Sequence, residues 1–192
     1  MEGNGMEGNG LEGDESNALG KCLSGLVDDG STESHRYYLS RRTVLEMLRD
    51  RGYAVPSSEI DLSLQEFRNI HGQTPDFDSL RLSVTHKSDP SKRMLVVFYG
   101  PGMVKVSGIR LILITDLLVN ITKHVLKPRH QVLTEHEKQR LLQKYSIEEK
   151  QLPRLLKKDA IARYYGFEKG QVVKVTYGGE ITESHVTYRC VW

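Results

Sequence analysis

The sequence predicts an α+β fold: an N-terminal α/β part followed by a small C-terminal α+β module that closes on a β-hairpin. Three observations carry this. Apolar residues recur at helical spacing between Arg36 and Arg51; period-two alternation appears at Leu80, Leu82 and Val84 and returns at Val173, Val175 and Tyr177; and Ser63, Thr134 and Ser146 each stand three places ahead of a glutamate. At 192 residues the chain fits one domain or two small ones on a loose scale of ~150 residues each, which argues against a single large enzyme fold.

The first residues belong to neither part. Met-Glu-Gly-Asn-Gly occurs twice in succession, Met1–Gly5 and Met6–Gly10, and a degenerate third copy starts at Leu11. Glycine loses the most backbone freedom on ordering and offers nothing to bury, so residues 1–33 are expected to be a disordered, acidic, glycine-rich tail. That tail masks the charge of the rest: it holds eight acids against Lys21, formally −7, so the net +2 of the chain leaves +9 for Ser34 to Trp192. A body of that sign attracts phosphate or acidic protein surfaces, and solvated surface lysines account for it equally well.

From Arg36, Tyr38, Leu45 and Leu48 share a helical face with Tyr37 and Val44 beside them, predicting a helix from Arg36 to Arg51 that stops at Gly52. Ser63 with Glu66 forms a capping box ahead of Phe67 and Ile70, and Gly72 ends that helix. Strands follow at Leu80–Val84 and Met94–Tyr99, the second ending in a turn at Gly100-Pro101. Ile109–Ile114, continued by Leu117–Val119, reads as a further extended segment, with helix as the alternative. Beyond Asn120 the signals sharpen. Thr134 and Glu137 box a helix whose buried face is Leu141, Leu142 and Tyr145; Ser146 and Glu149 read as a third box before Leu152-Pro153; Asp159 caps a short helix, Ala160–Tyr165, that stops at Gly166. Val173–Tyr177 and Val186–Trp192 then form a hairpin turning at Gly178-Gly179. A module of this size buries roughly 60% of its unfolded surface, so it is expected to pack against something larger.

The chemistry of catalysis is missing from the pattern. Uncharged runs in the most apolar region, such as Leu111–Thr115, are far below the ~20 residues of a membrane helix. Cys22 and Cys190 lie near opposite ends and build neither a disulfide framework nor a four-ligand zinc site. Met1–Gly10 lacks the basic and apolar regions of a secretory signal, so a reducing, intracellular setting is expected. His136-Glu-Lys-Gln-Arg140 has arginine where a zinc protease needs its second histidine, and the remaining histidines show no ligand spacing. Gly100-Pro-Gly102 lacks the glycine pattern of a phosphate loop, no Gly-x-Ser-x-Gly elbow occurs, and Asp76 with Glu148 makes only a long-spaced nuclease pattern. No cofactor, metal, membrane or small-molecule substrate is therefore expected. Arg41-Arg42, Lys92-Arg93 and Lys157-Lys158 are short basic pairs that suit, at most, non-specific contact with a phosphate backbone.

Against this background the C-terminal stretch stands out. His130-Gln-Val-Leu-Thr134, Gln151-Leu-Pro-Arg154, Asp159-Ala-Ile-Ala-Arg-Tyr-Tyr-Gly166, Lys169-Gly-Gln-Val-Val-Lys174 and Val186-Thr-Tyr-Arg189 resemble the fifth subunit of eukaryotic nuclear RNA polymerases and its archaeal counterpart. Met47-Leu-Arg-Asp-Arg-Gly-Tyr53 and Glu59-Ile-Asp-Leu62 extend the resemblance to the N-terminal half. Glu33-Ser-His-Arg-Tyr-Tyr38, Thr115-Asp-Leu-Leu-Val-Asn-Ile-Thr-Lys-His124 and Thr182-Glu-Ser-His185 look like the plant paralogue that serves RNA polymerase V in RNA-directed DNA methylation. Two departures stand out. Ala160 replaces the proline usual after Asp159, and Val104 runs to Asp116 where the family continues for some tens of residues.

The resemblance implies a jaw domain, residues 34–115, incomplete here, and a C-terminal assembly domain, residues 116–192, seated on the largest subunit. A truncated jaw would expose apolar strand faces and edges and impair its DNA contact. The family keeps its active site on other subunits, so this chain would be a non-catalytic nuclear subunit with other polymerase subunits as partners. The alternatives are a subunit common to polymerases I, II and III, or a free nucleic-acid-binding or regulatory relative. The assembly interface is expected at His130, Asp159, Arg163, Tyr164, Tyr165, Gly166, Gly170, Val173, Tyr188 and Arg189. Arg41, Arg42, Lys92 and Arg93 are the residues expected nearest to downstream DNA.

Overall fold

The computed structural model describes residues 30–100, 111–178 and 184–192. The expected tail thus lies outside the described residues up to position 29, as do Pro101 and Gly102 of the predicted turn, Ile109 and Arg110 of the predicted extended segment, and Gly179 of the hairpin turn. Helix α1, Thr32–Asp50, starts two residues inside the expected tail. Its second half is buried almost all round, with Val44, Leu45, Met47 and Leu48 in the core and Glu46 beside them. A helix hidden on every side is a central element and not a surface amphipath. Gly52, at φ +90°, ends it as predicted.

A short helix α2, Ser57–Asp61, leads to α3, Leu64–His71. The box at α3 is reciprocal: Glu66 N–H donates to Ser63 Oγ (3.2 Å) and Ser63 N–H to Glu66 Oε2 (2.8 Å). Strands β1, Leu82–Thr85, and β2, Arg93–Val96, pair antiparallel with Val84 opposite Met94. Phe98 turns into a core with Tyr37, Phe67 and Leu80, while Leu95, Val97 and Tyr99 are exposed.

The segment read as extended is different. Ile114–Leu117 is one 3₁₀ turn and Ile121–Lys123 another, and Leu117 drops into the α1 core with Val44, Leu45 and Leu48. A single buried contact of this kind overrides the β-branched propensity of the segment.

Strand β3, Arg129–Val132, precedes helix α4, Glu135–Tyr145, which carries the predicted Thr134/Glu137 box. The third box is misplaced in the sequence reading. Ser146 sits at φ +50° and closes α4, which denies it the extended backbone of an N-cap; Glu148 instead boxes with Gln151 around the 3₁₀ turn Glu149–Gln151. Strand β4, Arg154–Leu155, helix α5, Ala160–Tyr165, and strands β5, Val172–Tyr177, and β6, His185–Val191, complete the chain. The sheet order is β3-β5-β6-β4, with β4 parallel to β6 and the other pairs antiparallel. The terminal hairpin is therefore flanked on both sides. One face of the sheet packs on α5 through Val173, Val175, Val191 and Ala162, and the other on α4 through Val172, Cys190 and Leu141.

Residues 32–192 form one compact unit. Tyr164 of α5 joins the α1 core, so the larger body expected for the C-terminal module includes the chain's own N-terminal half.

Candidate assembly interface

The seam between the two halves is polar and closely satisfied. Arg51, just beyond α1, donates from Nε to the carbonyl of Tyr164 (2.8 Å) and from Nη2 to that of Arg163 (2.6 Å). These oxygens end a six-residue helix, where carbonyls have no internal partner and the dipole is negative. Gly166 follows at φ +70°, and a Cβ there would stand 3.4 Å from Arg51 Cζ. The Tyr164 hydroxyl donates to Asp50 Oδ2 (2.9 Å), and Asn120 Nδ2 donates to Glu46 Oε2 (2.7 Å). Lys123 donates to the other oxygen of the buried Glu46, and Arg163 pairs with Asp116 (3.0 Å). Burial of Glu46 favours its neutral form, but the bonds from Lys123 and Asn120 with the charges of Lys123 and Arg42 prevail and hold its pKa below the usual value. Burial is the largest influence on Tyr164, whose phenol is pushed up to about 12.

The residues expected at the interface divide into distinct groups. Tyr164 and Val173 are core residues, 6% and 0% exposed, and offer no surface to a partner. Gly166 and Gly170 are turn residues at positive φ, and the Gly170 carbonyl accepts from Lys138 Nζ (3.1 Å). His130 and Arg189 are half-buried and Asp159 is exposed; the charges of Asp159 and Arg189 both act on the His130 ring, which burial holds below its ordinary pKa. Asp159 also caps α5 through Ile161 N–H (2.9 Å). Tyr165 stacks on Phe167 (5.4 Å, 13°). Tyr188 faces the opposite side of the sheet, packed with Trp192 and Leu142.

The basic residues expected near DNA are mostly engaged. Arg41 is 7% exposed and pairs with Glu59 (2.7 Å), Arg42 donates to Tyr38 Oη (3.3 Å) and neighbours Glu46, and Lys92 stands 3.8 Å from Asp89. Arg93, on β2, is exposed. Among the described residues no group of three His, Cys, Asp or Glu side chains is placed to hold a metal.

One feature escapes the sequence reading. Between the 3₁₀ turn Ile121–Lys123 and β3, Val125 and Leu126 are 94% and 83% exposed. The turn is tied by Lys127 N–H to the His124 carbonyl (3.0 Å) and by Leu126 N–H to His124 Nδ1 (3.2 Å). Two aliphatics between a histidine and Lys127-Pro128, outside any periodic element, were the available signal.

The N-terminal half, residues 31–115, matches the family described as RNA polymerase Rpb5, N-terminal domain, and residues 119–191 match RNA polymerase Rpb5, C-terminal domain. The chain is 53% identical over 210 residues to DNA-directed RNA polymerase V subunit 5A of Arabidopsis thaliana, covering 89% of this chain and 95% of that one. DNA-directed RNA polymerases IV and V subunit 5B of the same plant is 50% identical over 204 residues, 86% and 94% covered. The DNA-directed RNA polymerases I, II, and III subunit RPABC1 of Caenorhabditis elegans is 31% identical over 208 residues, 85% and 99% covered. Since 89% of 192 residues is about 171, about 39 of the 210 positions aligned with subunit 5A have no counterpart here. Both halves of one family are thus present in order, joined by a seam that each half helps to build, and the chain belongs to the Rpb5 family of RNA polymerase subunits.

Proposed function

We propose that this chain is a non-catalytic structural subunit of a DNA-dependent RNA polymerase of the plant polymerase V type, acting in the nucleus in RNA-directed DNA methylation and gene silencing. The observation that carries the reading is the gradient of identity along nearly the full length, 53% to a polymerase V subunit against 31% to a subunit named for polymerases I, II and III. Residues 34–115 serve as a shortened jaw and residues 116–192 as the assembly domain on the largest subunit, a division that the family matches, 31–115 and 119–191, support. The positions absent relative to subunit 5A fall, in this reading, between Val104 and Asp116.

The group around His130, Asp159 and Arg189, with Arg163 and Tyr165 of α5, supplies the side chains still reachable by the largest subunit. Tyr164, Gly166, Gly170 and Val173 shape that surface from within. Contact with downstream DNA falls to the end of the β-hairpin that carries Lys92 and Arg93, and it is directed at phosphates and salt-sensitive.

The test is affinity purification of the tagged chain from plant nuclei at moderate salt, with the co-purifying largest subunits identified by mass spectrometry. Recovery of the polymerase V largest subunit is the expected result. Recovery only of the polymerase I, II or III largest subunits would replace it with the shared-subunit reading, and a soluble chain that recovers none would reduce the proposal to common ancestry.

A further inference from the structure

We propose that the turn bearing Val125 and Leu126 is a preformed apolar knob that enters an apolar socket, rimmed by carboxylates, on a protein partner; this rests on the assembly-subunit reading above. Val125 and Leu126 are the most exposed large hydrophobics among the described residues, at 94% and 83%. Apolar side chains presented this openly on a projecting turn mark a contact site when the turn is rigid, because binding then orders little that was free. Here both flanks are anchored. Lys123 is bonded to Glu46 of α1, and Lys127 donates to Tyr165 Oη (2.7 Å) with its ammonium 4.9 Å from the ring centroid. The knob is therefore held on one side by the N-terminal half and on the other by α5.

Charge selects the partner's rim. His124 and Arg129 are exposed and Lys127 half-buried around the knob, and the body from Ser34 onward is formally +9, so carboxylates complement this surface. Aliphatic side chains have no π-face on which a base stacks, and the turn carries no aromatic residue of the kind that anchors a protein at a membrane interface. A protein socket is what remains.

The full-length chain, tagged and co-expressed with the polymerase V largest subunit, tests this by quantitative capture. The double variant Val125→Asp, Leu126→Asp is expected to lower capture by about tenfold or more, the scale of a hot-spot side chain, at an unchanged melting temperature. Leu95→Asp, at an exposed apolar position on β2, serves as the comparison and leaves capture within about twofold. Val125→Lys is expected to lose less than Val125→Asp, and equal losses overturn the carboxylate rim. Full capture of the double variant overturns the knob while the subunit reading stands; failure to capture the unaltered chain overturns both. Binding to phosphatidylserine vesicles that the double variant loses, with capture retained, overturns the protein socket in favour of a membrane.

Discussion

At Arg51 one guanidinium serves two carbonyls at the end of α5, those of Arg163 and Tyr164. Charge-assisted bonds of this type are worth more than neutral ones, and removing the donor leaves two half-buried acceptors unsatisfied. Arg51→Ala is expected to lower stability by about 2 kcal/mol, seen as a Tm lower by about 4–8 °C in calorimetry. Arg51→Lys recovers only part of this, because an ammonium lacks the planar fork that reaches both oxygens. Tyr164 gives a pH signature. Its phenol is held neutral in the fold, chiefly by burial, with a pKa of about 12 against 10.0 for the free group. The unfolded chain ionises first, so the stabilisation is complete below pH 10 and falls as the pH rises toward about 12. Tyr164→Phe is expected to flatten that decline, although it loses the bond to Asp50 at every pH. Urea midpoints of both proteins across this range provide the check, and their difference removes the lysines that titrate in the same window.

At the scale of elements, α5 shows how six residues become a helix. Its cap is local, Asp159 to Ile161 N–H, but a helix so short is unstable without its packing on β5 and its anchorage to Arg51. Ala160 occupies the first helical position, where a proline's missing N–H is not needed, and Asp159 at φ −56°, ψ 143° already has the backbone required before proline. Ala160→Pro is therefore expected to leave the fold intact and raise stability by up to about 1 kcal/mol, read from the urea midpoint. The same element marks the boundary of what sequence discloses. Boxes at Ser63/Glu66 and Thr134/Glu137 and the Asp159–Gly166 unit were legible because their bonds span a few residues. Ser146 misled because the same residue type serves a C-cap here, and β3 and β4 went unseen because Arg129–Val132 offers a single aliphatic residue, Val132, and Arg154–Leu155 is two residues long. The pairing of the buried Arg41 with Glu59, the seam from Arg51 to Tyr164 and the exposure of Val125 are properties of three-dimensional neighbours, for which the sequence has no local period. The family resemblance could not separate Val173, wholly buried, from the half-buried Arg189 beside it on β6.

The whole molecule joins its halves through α1 and α5, and residues 32–192 are expected to unfold in one cooperative transition, with coincident loss of far-UV circular dichroism and tyrosine fluorescence. Charge also acts at this scale. Residues 1–31 hold seven acids and Lys21, so their removal, which spares α1, raises the formal net charge from +2 to +8. The shortened chain is expected to bind duplex DNA more tightly and with a steeper loss of affinity as salt rises, measurable by fluorescence anisotropy. The seam has one more implication, for modularity. Across the seam Arg51 reads the backbone oxygens of Arg163 and Tyr164, whereas Asp50 and Glu46 read the particular side chains Tyr164, Asn120 and Lys123. A chimera in which a divergent relative donates the second half would keep the first set of bonds by geometry alone and forfeit the second wherever those three side chains differ. Where the apolar fit of Leu117 and Tyr164 to α1 is kept, the polar compatibility of the two halves is thus written in a very short code of three side chains.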